Sequence, residues 1–160
     1  MKAEELYTGE KGSQYYALRQ GRRSDAVQDS RATLFSDLTQ PDSHVVDFGC
    51  GTGGVLKRLE AKKRIGVEIN EISADEAARY LDEVHRNLSE ISEASVDVAI
   101  SFHALEHVDE PADVISGLYR ALRPGGLLRI IVPCEMPLLL AQHQTWKADT
   151  RTCTCSHGRH

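Results

Sequence analysis

"VVDFGCGTGG", residues 45–54, decides how this chain is read. Two β-branched residues and an acid lead into four glycines within six positions. So much backbone freedom behind a hydrophobic run serves either a sharp turn or a close approach of something to the main chain. Outward from it, "HVVDF" reads as a buried strand and "GGVLKRLEAKK" as a helix with Val55, Leu56 and Leu59 on one side. "RIGVEI" follows as a second strand. "SADEAARYL" is then a helix opened by Ser73 with Glu76 three residues on, a capping-box pattern. A short third strand lies in "DEVHRNL", and "SVDVAISF" is the fourth. "PADVISGLYRALR" is a helix with Pro111 at its start and Pro124-Gly125-Gly126 at its end, and "LLRIIVP" is the fifth strand. Upstream, Ser13 to Leu38 is compatible with one helix, closed by Pro41 and Asp42.

These strands are nearly continuous apolar runs with helices between them. The economical solution is a doubly wound, mostly parallel α/β sheet, Rossmann-like, covered on both faces. At 160 residues the chain fits a single domain. Its parts are a helical lid over 1–42, an α/β core over 43–133, and a helix with an irregular tail over 134–160. The composition, 41% hydrophobic and 27% charged, is that of a globular protein. A formal charge of -5 argues against a nucleic-acid partner. No apolar run approaches the ~20 residues of a membrane span. With no signal-peptide pattern and no disulfide framework among Cys50, Cys134, Cys153 and Cys155, a cytoplasmic location is expected.

In open parallel sheets, ligands bind beyond the carboxyl ends of the strands, near the point where strand order reverses. Gly49 and Gly51 sit there, and Glu68 ends the second strand, where an acid is placed to accept from two ribose hydroxyls. A nucleoside ligand is the leading idea. Asp47 refines it, since a fixed carboxylate repels a pyrophosphate but suits an ammonium group. S-adenosylmethionine has that combination, and a nicotinamide-dependent dehydrogenase is the less favoured reading.

The ordered motifs resemble the class I S-adenosylmethionine-dependent methyltransferases, particularly their small "type 11" members. "VVDFGCGTGG" is similar to their first motif and "GVEIN" to their second. "RNLSEI", "DVAISFHALEHVDEP" and "LYRALRPGGLLRIIVP" follow in the order and spacing of that family, from about Val45 to Pro133. The resemblance implies a cofactor site made by Asp47, Gly49, Cys50, Gly51, Glu68, Asn87, Leu88, Ser101 and Phe102. Asn87 would meet the adenine amine, and the Leu88 N–H would face the ring. The Ser101 and Phe102 carbonyls would face the methionine end. His103, at the rim, is the candidate catalytic base, with Glu106 and His107 fixing the loop. Tyr15, Tyr16, Arg19, Arg22 and Arg23 would close over the cofactor. Plainer roles stand beside these, with Asp47 as a helix cap, Cys50 as a small filler, Asn87 as a turn asparagine and the arginines as a solvated face. The implied activity is methyl transfer to a small-molecule acceptor at oxygen, nitrogen or carbon.

The far end departs from that family, which usually carries two more strands forming an antiparallel hairpin. Here Pro137 to Lys147 reads as one helix with Leu138–Leu140 and Trp146 inward, and the sheet is expected to stop at five strands. Its uncovered edge offers a surface for a homodimer. The tail "TCTCSHGRH" matches no common zinc module, so no metal is expected. The alternative to an active enzyme is a truncated or frameshifted domain that binds S-adenosylmethionine without turnover.

Overall fold

A computed structural model describes residues 4–20, 23–133, 144–148 and 153–156. The amino-terminal region is not one helix. It comprises α1 (Glu4–Tyr7), α2 (Gly9–Tyr15) running into a π-turn over Tyr16–Gln20, and α3 (Asp25–Ala32). The restart is set by Ser24, whose hydroxyl accepts from the Val27 N–H. Serine satisfies a free helix amide better than it fills a helix interior.

The sheet strands are β1 (His44–Phe48), β2 (Lys63–Val67), β3 (Glu83–His85), β4 (Val96–Phe102) and β5 (Leu122–Ile131). All five run parallel in the order β3-β2-β1-β4-β5. Between β2 and β3 lies α4 (Glu71–Ala77), and between β4 and β5 lies α5 (Pro111–Ala121). Successive residues of β1 and β4 face opposite sides. Val45, Val98 and Ile100 join Phe35 and Leu56 in one core, while Val46, Ala99, Leu118 and Leu128 build the other. Burial on both faces explains the unbroken apolar runs.

Three further expectations need correction. After the glycines there is no α-helix, only a short 3-10 turn over Leu56–Arg58. Eight residues separate Gly54 from Lys63, and Gly53 and Gly54 each disfavour helix by about 1 kcal/mol. The cap of α4 is Asn70 rather than Ser73, its Oδ1 accepting from the Ser73 N–H at 3.0 Å. Pro124-Gly125-Gly126 does not end α5, which stops at Ala121. Those residues bulge within β5, where the pairing jumps from Val96↔Leu122 to Val98↔Leu127.

The sheet also does not stop at five strands. β6 (Gln144–Ala148) pairs antiparallel with β5, and β7 (Cys153–Ser156) pairs antiparallel with β6, giving seven strands in the order β3-β2-β1-β4-β5-β6-β7. Strands of five and four residues need little chain, and they satisfy the β5 edge amides that a helix would leave bare. Gln144–Lys147 are therefore strand, and the remainder of the expected helix, 137–143, lies outside the described residues. With β6 on the β5 edge, the surface from which a homodimer was expected is occupied. Among the described residues, no helix is long and apolar enough to cross a membrane.

Candidate functional site

A cleft of about 740 Å³ opens beyond the carboxyl ends of β1 and β2, beside β4, where strand order reverses. Its floor is Phe48, Gly49, Val67, Glu68 and Ile69. One wall is the turn Arg86–Ser89, and the other comprises His103, Ala104, His107 and the face of α5 from Asp113 to Arg120. Tyr7 and Tyr15 roof it, edge to face with centroids 4.8 Å apart. The size is that of a site for a drug-sized ligand.

Glu68 is the best-fixed polar group of the floor. Its Oε2 accepts from the Gly51 N–H and its Oε1 from the Asn70 N–H, both at 2.8 Å. Burial raises its pKa, and these amides and the Arg86 guanidinium partly offset the rise. Gly51, at φ 56°, thus does not line the cleft and acts by orienting the acid. Gly49, at φ 75°, does line it. A Cβ there would stand 2.3 Å from the Ala104 Cβ, so the glycine lets the β1 and β4 loops close on each other.

Asp47 is 3% exposed, and among the described residues its Oδ1 has no hydrogen-bond partner. Burial, then the charge of Glu68, pushes its carboxyl well above the ordinary range. It lines not the main cleft but an adjoining cavity of about 20 Å³ with Arg23, Arg31, Cys50 and Phe102. Gly49 belongs to both spaces. Asp47 caps no helix, since none follows. Cys50 is buried, with its Sγ 2.6 Å from where a Gly66 Cβ would lie, so its side chain fills space below the turn.

Other expected residues divide. Asn87 and Leu88 line the cleft, yet the Asn87 Oδ1 already accepts from the Ser89 N–H at 2.9 Å, and the Glu90 carboxylate accepts from the Asn87 N–H in return. Asn87 is thereby a turn cap at the cleft wall. Ser101 is wholly buried, its hydroxyl donating to the Phe48 carbonyl at 3.1 Å, and it does not reach the cleft. Phe102 lies on the side of the small cavity, beneath the Arg31 guanidinium at 5.0 Å.

His103 does face the cleft. It holds a left-handed backbone, φ 51°, and stacks on Phe102 with centroids 4.3 Å apart. Its Nδ1 is 4.0 Å from the Glu106 Oε1, which is also 3.7 Å from the His107 Nε2. Burial lowers the His103 pKa, with Glu106 opposing, so the ring is neutral near pH 7. Of the expected lid, Tyr15 reaches the cleft and Arg23 the small cavity, while Tyr16 instead donates to Glu76 and Arg19 is exposed. Arg22 lies outside the described residues.

Sequence reading missed Tyr7 and Asn70. Tyr7 sits in a four-residue helix with no pattern of its own, 5.5 Å from the His107 ring. Asn70 directly follows the "GVEI" strand end, and an Asn preceding a helical run was the available signal for its cap.

An open parallel sheet with a glycine turn and a buried acid at the order reversal defines the Rossmann-like α/β class. A family model described as a methyltransferase domain matches residues 19–159, and the chain belongs to that family. It is 36% identical over 96 residues to a protein of Mycolicibacterium smegmatis named a probable S-adenosylmethionine-dependent methyltransferase, covering 56% of this chain and 37% of that one. It is 32% identical over 110 residues to a ubiquinone biosynthesis O-methyltransferase of Hahella chejuensis, covering 61% and 43%. The chain thus spans less than half the length of these curated relatives. A solved SAM-dependent methyltransferase from Archaeoglobus fulgidus shares the fold with a TM-score of 0.65 at 22% identity, over 78% of this chain and 60% of that one.

Proposed function

We propose that the protein is an S-adenosylmethionine-dependent methyltransferase acting on a small-molecule acceptor held in the 740 Å³ cleft. The observation that carries this is Glu68, a carboxylate buried at the floor of the cleft and held by the Gly51 and Asn70 amides, where its oxygens can accept from a ligand's donors. Two neighbouring sugar hydroxyls are such donors, and they bring no negative charge to an acid already strained by burial. Asp47 supports the same ligand. Its unpaired oxygen matches an ammonium group, and Arg23 and Arg31 on the same small cavity match a carboxylate, together the signature of an amino-acid end. Gly49 lines both spaces, so the two lie side by side at the end of β1.

S-adenosylmethionine supplies a methyl group on positively charged sulfur. What the chain must add is position, and a base if the accepting atom carries a proton. His103 fits that role. It is neutral, half-exposed at the cleft, and fixed by its stacking on Phe102. The proton of the acceptor passes to the imidazole, and Glu106 stabilises the cation formed.

Calorimetry with S-adenosylmethionine and S-adenosylhomocysteine tests the cofactor site, with saturable one-to-one binding expected. No heat and no thermal shift with either compound refutes the proposal. Turnover across alcohols, phenols and amines tests the chemistry. Binding without turnover on any of them favours instead a cofactor-binding domain that does not catalyse.

A further inference from the structure

Asn70 is 1% exposed, yet every polar atom of the residue but its carbonyl joins two parts of the molecule. Its N–H donates to the Glu68 Oε1 at 2.8 Å, and its Oδ1 accepts from the Ser73 N–H to start α4. Its side-chain amide donates to the Tyr7 carbonyl at 2.9 Å and to the Gly12 carbonyl at 2.8 Å. Those two carbonyls belong to α1 and α2, the elements that bring Tyr7 and Tyr15 over the cleft. Gly12 is pressed against this junction, since a Cβ on it would stand 2.2 Å from the Tyr7 oxygen and 2.9 Å from the Asn70 Nδ2.

We propose that Asn70 is a positioning residue that locks the tyrosine roof onto the acid of the cofactor site, so that the acceptor wall is complete only while Glu68 is in place. The inference rests on the cofactor reading for Glu68 and extends it to the lid. Among the described residues, Tyr16 also donates to Glu76, and ring contacts join Tyr7 to Tyr15 and to His107. A sugar bonded to Glu68 restrains the acid, the acid restrains the Asn70 backbone, and the side chain restrains the carbonyls of the roof. The acceptor such a roof selects is a flat or apolar ring, because Tyr7, Tyr15 and His107 form the surface it meets.

The test is tryptic cleavage of the full chain at Lys11 and Arg19, both exposed, followed by mass spectrometry. Asn70→Ser keeps a capping hydroxyl for α4 and removes both donors to the roof. Gly12→Ala breaks the same junction from the other side and leaves α4 untouched. Both variants should unfold cooperatively and be cut about tenfold faster or more than wild type, the effect of losing two hydrogen bonds, one buried and one partly buried. S-adenosylhomocysteine should slow the cutting of wild type and have little effect on the variants. Cleavage of either folded variant within twofold of wild type overturns the proposal, as does full protection of the variants by the ligand. If the ligand fails to bind wild type, the cofactor reading falls, and the junction is still decided by the ligand-free rates.

Discussion

Glu68→Gln is the perturbation that bears most directly on the site. The acid occupies a position where two backbone donors, the Gly51 and Asn70 N–H groups, each approach an oxygen at 2.8 Å. A glutamine of the same shape keeps one oxygen and turns an NH2 toward the other donor, leaving one buried N–H unpaired. That costs about 1–3 kcal/mol of stability. For a chain of this size it lowers Tm by roughly 2–12 °C. The effect on the ligand is separate. Sugar hydroxyls that bonded a charged acceptor now share a neutral amide with one acceptor position, a loss of about 1.5–3 kcal/mol, or roughly 10- to 150-fold in Kd. Calorimetric titration with S-adenosylhomocysteine reads the second effect, and a thermal melt of the ligand-free protein reads the first. Glu83→Gln serves as control, because Glu83 pairs with Lys63 away from the cleft. A folded Glu68→Gln protein with the wild-type Kd refutes the assignment of Glu68 to the ligand.

Asp47→Asn should change how stability depends on pH. A carboxyl whose folded pKa is raised supplies stability below its unfolded pKa, and that stability fades as pH climbs through the folded value. As pH rises above the ordinary aspartate pKa of about 4, the ligand-free wild type should therefore lose ground relative to Asp47→Asn. Parallel denaturation curves across that range refute it. His103→Ala should lower kcat by about 10²–10⁴ if the acceptor atom is protonated. In wild type, kcat should rise with pH through an inflection below the ordinary histidine value of 6.5, because burial depresses that pKa. An acid limb unchanged by the substitution excludes His103 as the base. Gly49→Ala forces a Cβ to 2.3 Å from Ala104 at a left-handed φ, and urea unfolding should show a loss of about 2–5 kcal/mol. A loss under 1 kcal/mol means that the two loops separate easily.

Local signals were legible where local chemistry decides. "HVVDF" became β1 residue for residue, and Pro111 opened α5, because branched apolar runs and a proline at a helix start have the same meaning in any surroundings. The glycine turn and Glu68 were legible for the same reason, a fixed offset between two strand ends. The expected helix after the glycines failed because Val55, Leu56 and Leu59 face the core equally well from a short turn. Ser101 and Phe102 were expected to present their carbonyls to the cofactor, and the structure adds what their side chains do, one meeting the Phe48 carbonyl and the other lying under Arg31. β6 and β7 were missed because strands of five and four residues are too short to show a period. Asn70 shows the limit most clearly. Its cap is a sequence signal, but its reach to Tyr7 spans 63 residues.

Among the described residues, the sheet ends on both sides in small strands, β3 with three residues and β7 with four. A passing polypeptide seeking to add itself would find only a few open amides at either border. At β3 it would also meet Glu83 and His85, bound to each other at 3.2 Å and so already committed. Such borders are poor templates for fibril growth or for stacking sheet on sheet. The five inner strands are thus bordered by two fringes too short to recruit a neighbour.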